Sequence, residues 1–512
     1  MYQKERSSII TRHHQKGFDP QIRYKSRTPA KYLKAKTQAK MIESTQEIHQ
    51  THDHKDQPSR SATELSRNIA LQLLVMFALG IVFLWPNENS FREWLSQSRF
   101  SVNTLVTFTW YHTSVLLISI AATLVTPISP LLGLLGSVIL SNAFDRYSPE
   151  NIWNHYHQIN HWLALSSLIG TILKVGKDGA GKFIKRSPVF LLLIASIAWV
   201  CTSEFYHVVI LNSDRSFTFR TWLHALTALL TVAILLQSRL RVWEIDCFTF
   251  CMAIPLCLRR FYLGENLYLN HDLPPFAVMA IPFLVVTTFN GHILKRVFAS
   301  TLAITMAYLI IETENRGGLV GASFAIIGVL ILTSWKIIPI TALVLPGFFY
   351  LVKLLKPSYI QRFVDITTNG AASGTFYSRF TIFSIALSLP ATTYAIGTGI
   401  GRFSTGIGAD NPNLHKTNAH NSWISILVEL GLIGLLFYLV LMILGIRAAY
   451  HVAKKGRAPF HWIGLASLSA IFGYCGISLS IARDLFLPYY IVLGIAINFY
   501  QYDCDKSTDR DV

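Results

Sequence analysis

The sequence predicts an all-α, polytopic integral membrane protein with about 12–14 spans and one long external loop. The first observation is composition, because 14% of the 512 residues are charged and 52% are apolar, whereas a soluble chain carries roughly 25% charged residues. The second is the alternation of apolar runs with short polar breaks from residue 66 onward. The third is an uneven distribution of the formal charge of +17. Together these observations exclude a cytosolic enzyme.

The apolar runs set the predicted spans. A helix needs about 20 residues to cross the hydrocarbon core, with a range of roughly 17–25. Several runs are short, and 247–258 is the weakest. The predicted spans cover 66–85, 102–125, 128–144, 161–175, 188–211, 221–236, 247–258, 275–290, 297–311, 317–334, 337–354, 422–446, 461–481 and 485–500.

Polar segments flank the transmembrane domain, which is predicted over 66–500. Residues 1–65 have no long apolar run, and the chain through Arg67 holds 14 basic and seven acidic residues. This composition predicts a disordered cytoplasmic tail attracted to anionic membrane lipids. Its histidines match no structural zinc spacing. Residues 501–512 are predicted to form a second cytoplasmic tail.

The orientation follows from the basic residues between the spans. With the N-terminus inside, the cytoplasmic breaks hold 14 basic residues in about 50 positions, and the external breaks hold 15 in about 135. This difference in density agrees with the positive-inside rule. Both termini are therefore predicted to be cytoplasmic.

One long external loop is predicted over 353–421. Its segment 380–397 is apolar but contains Pro390 and five Ser or Thr residues. Counting this segment as a span would move the basic stretch 447–457 to the outside, against the positive-inside rule. It is therefore predicted to be a re-entrant or interfacial helix.

The external basic residues are mostly arginines: 12 of the 15, against six of the 14 in the cytoplasmic breaks. Arginine binds phosphate oxygens bidentately through a planar fork, whereas lysine acts as a point charge. The pattern indicates an anionic phosphate ligand at the outer face. Any single arginine could instead extend to the lipid headgroups.

The strongest local motif is His420-Asn421, followed after nine residues by Gly431-x-x-Gly434. It lies where the chain re-enters the membrane after a polar loop, and a histidine there can accept a proton from a hydroxyl near neutral pH. Weaker patterns are the glycines of 397–401, interpreted as a flexible turn, and the pair Glu204 and His207, for which local hydrogen bonding is expected.

Four sequence elements resemble the O-antigen ligase and polymerase superfamily of bacterial envelope glycosyltransferases. They are the run Gly397–Phe403, the run Ala419–Gly434, Asn315-Arg316-Gly317-Gly318 in place of a Ser-Arg-Gly element, and Ser378-Arg379. The resemblance covers roughly residues 297–446. It departs from the family pattern at Asn315, where serine is usual.

The resemblance implies a helical fold similar to GT-C-type glycosyltransferases and a place in the bacterial inner membrane. It implies transfer of a glycan from an undecaprenyl-pyrophosphate carrier to a hydroxyl of a glycan, lipid or other acceptor, at the external face. The transfer would invert the anomeric carbon and use no cofactor, metal or nucleic acid. By analogy, the base is His420, the pyrophosphate ligands are Arg316, Arg379 and Arg402, and the supporting residues are Asn421, Glu429, Gly431 and Gly434.

Two alternatives remain open at the level of sequence. A polymerase of the same superfamily would join repeat units to one another, and the motif does not separate it from a ligase. A lipid-linked-sugar flippase belongs to a different class and predicts discontinuous helices, midplane charges and repeated halves.

Overall fold

The computed structural model describes about half of the chain. The described residues are 120, 125–126, 129–143, 188–207, 215–237, 239–263, 273–290, 292–333, 347, 350, 352–354, 356–358, 361, 374–403, 420–456, 459–480 and 487–508. The predicted tail 1–65, the predicted spans 66–85 and 161–175, most of 102–125 and 337–354, and the loop segment 404–419 lie outside them.

The described residues form helices and no strand. In chain order the helices are α1 Pro130–Ala143, α2 Pro188–Phe205, α3 Arg215–Leu235, α4 Val242–Leu263, α5 Leu273–Phe289, α6 Ile293–Glu312, α7 Arg316–Thr333, α8 Gly374–Leu387, α9 Ala391–Ile396, α10 Ser422–Lys455, α11 Phe460–Ser478 and α12 Leu487–Thr508. Each of α1–α7 and α10–α12 overlaps one of the predicted spans.

Two helices continue well past the apolar runs that predicted them. Helix α10 extends to Lys455 rather than 446, and Lys454 and Lys455 occupy its last turn, where positive charge interacts favourably with the helix dipole. Helix α12 extends to Thr508, so the first part of the predicted tail 501–512 is helical. Hydropathy indicates which residues suit lipid, whereas a helix ends only where its backbone hydrogen bonds stop.

Three of the described helices are long and apolar enough to cross a membrane, namely α6, α10 and α11. Helix α6 exposes large apolar side chains, including Leu294 at 74% and Ile304 at 70%. Large contiguous apolar surfaces are unusual on soluble monomers, and lipid is a suitable solvent for such a face. The composition and this exposure agree that the chain is an integral membrane protein.

Helix α11 lies at the centre of the described bundle and packs against α5, α7, α10 and α12. Its contact with α7 is close because small residues face each other. A Cβ atom added to Gly321 would lie 2.9 Å from the carbonyl oxygen of Gly473. Small residues allow such close backbone approach between membrane helices. This packing aligns the N-terminus of α7 with the C-terminus of α11.

The segment 380–397 is helical but interrupted. Helix α8 ends at Leu387, and α9 begins after Pro390. Proline supplies no backbone N–H and disfavours helical geometry in the residue before it, which accounts for the break. Helix α9 packs against α10 and leads directly into the glycines of 397–401.

Candidate active site

Helix α10 is broken at Gly431. This residue has φ 69° and ψ −174°, so the helical hydrogen-bond ladder is interrupted there. The carbonyl oxygens just before the break accept other donors. Val428 O accepts from the backbone N–H of Thr398 at 2.8 Å, and Leu430 O accepts from Trp199 Nε1 at 3.0 Å. The break therefore does not leave these buried carbonyls unpaired.

The segment Gly397–Arg402, here called the glycine loop, fits against this break. A Cβ atom on Gly397 would lie 2.2 Å from the carbonyl oxygen of Glu429, and one on Gly431 would lie 2.3 Å from that of Ala395. Both glycines also have φ in the left-handed region, 90° and 69°. Side chains are excluded at these two positions by contact and by backbone conformation.

Glu429 holds the glycine loop through its backbone and its side chain. Its carbonyl oxygen accepts from the N–H of Gly399 at 3.0 Å, and its Oε2 accepts from the N–H of Gly401 at 3.0 Å. Glu429 is 8% exposed. These two hydrogen bonds attach both the backbone and the side chain of Glu429 to the glycine loop. The loop's N–H groups at 398, 399 and 401 are thus already used within the protein.

The N-terminus of α10 is fixed by Asn421. Its Oδ1 accepts hydrogen bonds from the N–H groups of Trp423 at 2.9 Å and Ile424 at 3.2 Å, which is the N-cap arrangement. Its Nδ2 donates to Leu479 O at 3.4 Å, and Trp423 Nε1 donates to Ser478 Oγ at 3.0 Å. The helix start is therefore attached to the C-terminal end of α11.

His420 precedes this cap and is partly exposed, with φ 48°. Left-handed backbone is uncommon for a residue with a side chain and is concentrated at functional sites. Among the described residues, the non-glycine positions with such a φ are His420 and Glu314. Both stand directly at a motif singled out in the sequence, since Glu314 precedes Asn315-Arg316.

Arg316 begins helix α7, and Asn315 caps that helix through its Oδ1, which accepts from Gly318 N at 3.2 Å. Asparagine and serine are about equally good at this position, so the departure from the family pattern keeps the cap. A Cβ atom on Gly317 would lie 1.8 Å from Ser480 Oγ. Residues 478–480 therefore contact the starts of both α7 and α10, which places Arg316 and His420 at the same end of the bundle.

Glu314 was not singled out by the sequence, although it is 6% exposed. Its Oε1 accepts from Ser358 Oγ at 3.3 Å and lies 3.8 Å from Lys356 Nζ. The segment that contains Lys356 and Ser358 is thereby attached close to Arg316. No motif signals this contact, because it joins residues far apart in the sequence.

Arg379 lies on helix α8, which packs against the first turns of α10. Ile382 and Ala386 form an apolar cluster with Ile424 and Val428. Arg379 therefore lies one turn before Ile382, which contacts α10 close to His420.

Arg402 is 8% exposed and lies beside Glu204 of α2, with 3.9 Å between its Nη2 and Glu204 Oε1. His207 is also buried, and its Nδ1 is 2.7 Å from Ser203 O. Since a carbonyl only accepts, this nitrogen carries the hydrogen. The local hydrogen bond expected for His207 is present, whereas the pairing of Glu204 with Arg402 was not foreseen.

Residues 301–439 match the family model described as O-antigen ligase. Over these residues the chain is similar to O-antigen ligases. This match confirms the resemblance drawn from the sequence motifs, and the matched range contains Arg316, Arg379, Arg402, His420 and Glu429. Comparison with curated proteins found no match to the chain.

Helix α2 lies outside the matched range, but its Trp199 and Glu204, together with His207 just after its end, lie against the glycine loop and the broken helix. An apolar cavity adjoins the break and is lined by Trp199, Leu430, Gly434 and Tyr438, with further residues of α3 and α12. Gly434, expected to be a supporting residue, thus faces this cavity. Among the described residues, no group of three His, Cys, Asp or Glu side chains could hold a metal ion.

Proposed function

We propose that the protein is a membrane glycosyltransferase that moves a glycan from an undecaprenyl-pyrophosphate carrier to an acceptor hydroxyl at the external face of the bacterial inner membrane. The observation that carries the proposal is the meeting of the starts of α7 and α10, with Arg316 and His420, at the end of α11, within the range that is similar to O-antigen ligases. The polytopic bundle of about 12–14 spans and its similarity to GT-C-type enzymes belong to this proposal.

In the proposed reaction His420 accepts the proton of the acceptor hydroxyl. The hydroxyl oxygen forms a bond to the anomeric carbon of the donor sugar, and the bond between that carbon and the pyrophosphate oxygen breaks. Attack from the opposite face inverts the anomeric configuration. The leaving pyrophosphate keeps the electron pair, and preorganised guanidinium groups of Arg316 and Arg379 stabilise its negative charge.

The apolar cavity beside the break supports a lipid-linked donor. It adjoins the segment that begins at His420, and its walls are mainly aliphatic and aromatic side chains. Pockets lined mainly by apolar side chains bind apolar ligands. In the proposal the cavity receives part of the polyprenyl chain while the pyrophosphate lies nearer the helix ends.

The decisive experiment compares His420→Ala with wild type in proteoliposomes containing a lipid-linked glycan donor. Loss of a general base lowers the rate by about 10²–10⁴-fold, and loss of one charge-stabilising donor lowers it by about 10²–10³-fold. We therefore expect severe loss in His420→Ala, Arg316→Ala and Arg379→Ala. His451→Gln, at the far end of α10, and Arg447→Ala, on its exposed surface, are the matched controls. Normal transfer by His420→Ala would refute the proposal.

The same assay separates ligase from polymerase. Purified protein receives a lipid-linked single repeat unit and no other acceptor. A ladder of products identifies a polymerase, whereas a ligase gives product only after its own acceptor is added.

One observation favours the flippase alternative. Helix α10 is discontinuous, and the buried residues Glu429, Glu204 and Arg402 lie beside the break. Transporters use broken helices in this way. A flippase would move a fluorescent lipid-linked glycan across the bilayer without changing its covalent structure. Product formation dependent on His420 would exclude that function.

A further inference from the structure

The Glu204–Arg402 pair joins helix α2 to the glycine loop. The two residues are 9% and 8% exposed, and their charged atoms are 3.9 Å apart. Charge-assisted hydrogen bonds are shorter, about 2.7–2.9 Å, and neither carboxylate oxygen of Glu204 accepts a hydrogen bond from the described part of the chain. The contact is therefore a desolvated ion pair, and removing either partner would deprive the other buried charge of this interaction.

Trp199 of the same helix and His207, which follows it, also lie against this region. Trp199 Nε1 donates to Leu430 O, directly before the break in α10. A Cβ atom on Gly399 would lie 3.1 Å from Cγ of His207 and 3.3 Å from the Arg402 side chain. Helix α2 thus holds the end of the broken segment and the loop that caps it.

This attachment holds one end of the segment that carries His420, while Asn421 and Trp423 hold its other end against α11. The segment from His420 to Gly431 is about ten residues of mostly helical chain, and at 1.5 Å per residue it spans about 15 Å. A tilt of about 4° at the break would move His420 by about 1 Å over that length. Misplacement of a reacting group by about 1 Å can lower a rate by about 10²-fold.

We infer that Glu204 is a positioning residue of the transferase, which pairs with Arg402 and keeps the glycine loop seated on the broken helix. In this inference Arg402 pairs with Glu204 and does not bind the donor, and the donor pyrophosphate is bound by Arg316 and Arg379. The inference rests on the proposed transferase function for its activity readout. It assigns a role in the reaction to a helix outside the range that is similar to O-antigen ligases.

The test is a double-mutant cycle with Glu204→Gln, Arg402→Gln and the combined variant. Each single change should lower kcat by about 10²-fold and leave the KM for the donor unchanged. The combined variant removes both charges of the pair, and its two amides can form a hydrogen bond, so it should recover transfer by about tenfold over either single variant. Arg402→Lys, which keeps the charge, should retain more activity than Arg402→Gln.

Inorganic pyrophosphate distinguishes the pairing role from direct donor binding. If Arg402 contacts the donor, Arg402→Gln will raise the donor KM and weaken inhibition by pyrophosphate, while Glu204→Gln stays active. That combination of results would overturn the inference. Lys295→Gln breaks the more exposed Lys295–Asp246 ion pair and serves as the matched control, since pairs of this kind contribute little.

A second readout does not depend on activity. Thr398→Cys, in a background without the native cysteines, reports on the seating of the loop, because Thr398 donates from N and Oγ1 to Val428 O. Maleimide labelling should be faster with either single variant and slower again with the combined variant. Unchanged labelling in both single variants would contradict the positioning role, whether or not the wild-type protein transfers glycan. Absence of transfer by the wild-type protein would instead count against the proposed function.

Discussion

The carboxylate of Glu429 accepts a hydrogen bond of 3.0 Å from the backbone N–H of Gly401. The carbonyl oxygen of the same residue accepts another from Gly399. Glu429, two residues before the break at Gly431, therefore holds the glycine loop by two hydrogen bonds. An ionisable residue within a predicted membrane span thereby acquires a defined structural partner.

We expect Glu429→Leu to destabilise the protein by about 1–3 kcal/mol, because it leaves the Gly401 N–H without its acceptor. Glu429→Gln keeps an acceptor oxygen at the same place and should lose less stability. Thermal unfolding of both variants in detergent measures the difference. Equal stability of the leucine variant and wild type would show that the bond to Gly401 contributes nothing.

Gly431→Ala should destabilise the protein and abolish transfer. The added methyl group would lie 2.3 Å from Ala395 O, and a left-handed conformation costs a residue with a side chain about 1–3 kcal/mol before any clash. Gly347→Ala is the control, since nothing lies within 4 Å of its Cβ position. Thermal unfolding and glycan transfer should both separate the two variants. An intact Gly431→Ala enzyme would mean that the break is not required.

Asn315→Ser should leave stability nearly unchanged, because serine can accept the Gly318 N–H as asparagine does. Asn315→Ala removes the cap of α7 and should cost about 0.5–2 kcal/mol. Chemical or thermal unfolding checks both values. If the serine variant were as unstable as the alanine variant, the side chain would have a role beyond capping.

The predicted topology can be tested with single cysteines introduced at Asn418 and Lys454. A membrane-impermeant maleimide added to intact cells should label Asn418→Cys, because the loop 353–421 is predicted to be external. Lys454→Cys should react only after the membrane is opened. Labelling of Asn418→Cys solely from the cytoplasmic side would make 380–397 a membrane span and place the basic stretch 447–457 outside.

Most of the described helices could be predicted from hydropathy, but their ends and interruptions could not. The apolar run 422–446 contains no proline, so nothing in its hydropathy predicts a break at Gly431. The break forms because the glycine loop and Trp199 supply hydrogen-bond donors to the carbonyls of 428–430. These donors come from sequence-distant segments, and a local pattern carries no information about them.

The sequence by itself determined the helical membrane character, the motif at His420 and the resemblance to O-antigen ligases. These properties depend on composition and on the order of residue types along the chain. Only the tertiary structure decided that residues 478–480 bring the starts of α7 and α10 together, and that Arg402 lies beside Glu204 rather than open to solvent. The basic residues behind the +17 charge show the same difference between sequence and structure. Their density along the sequence predicts the orientation of the chain in the membrane. The partner of a single arginine depends on which distant carboxylate the packing of the helices places near it.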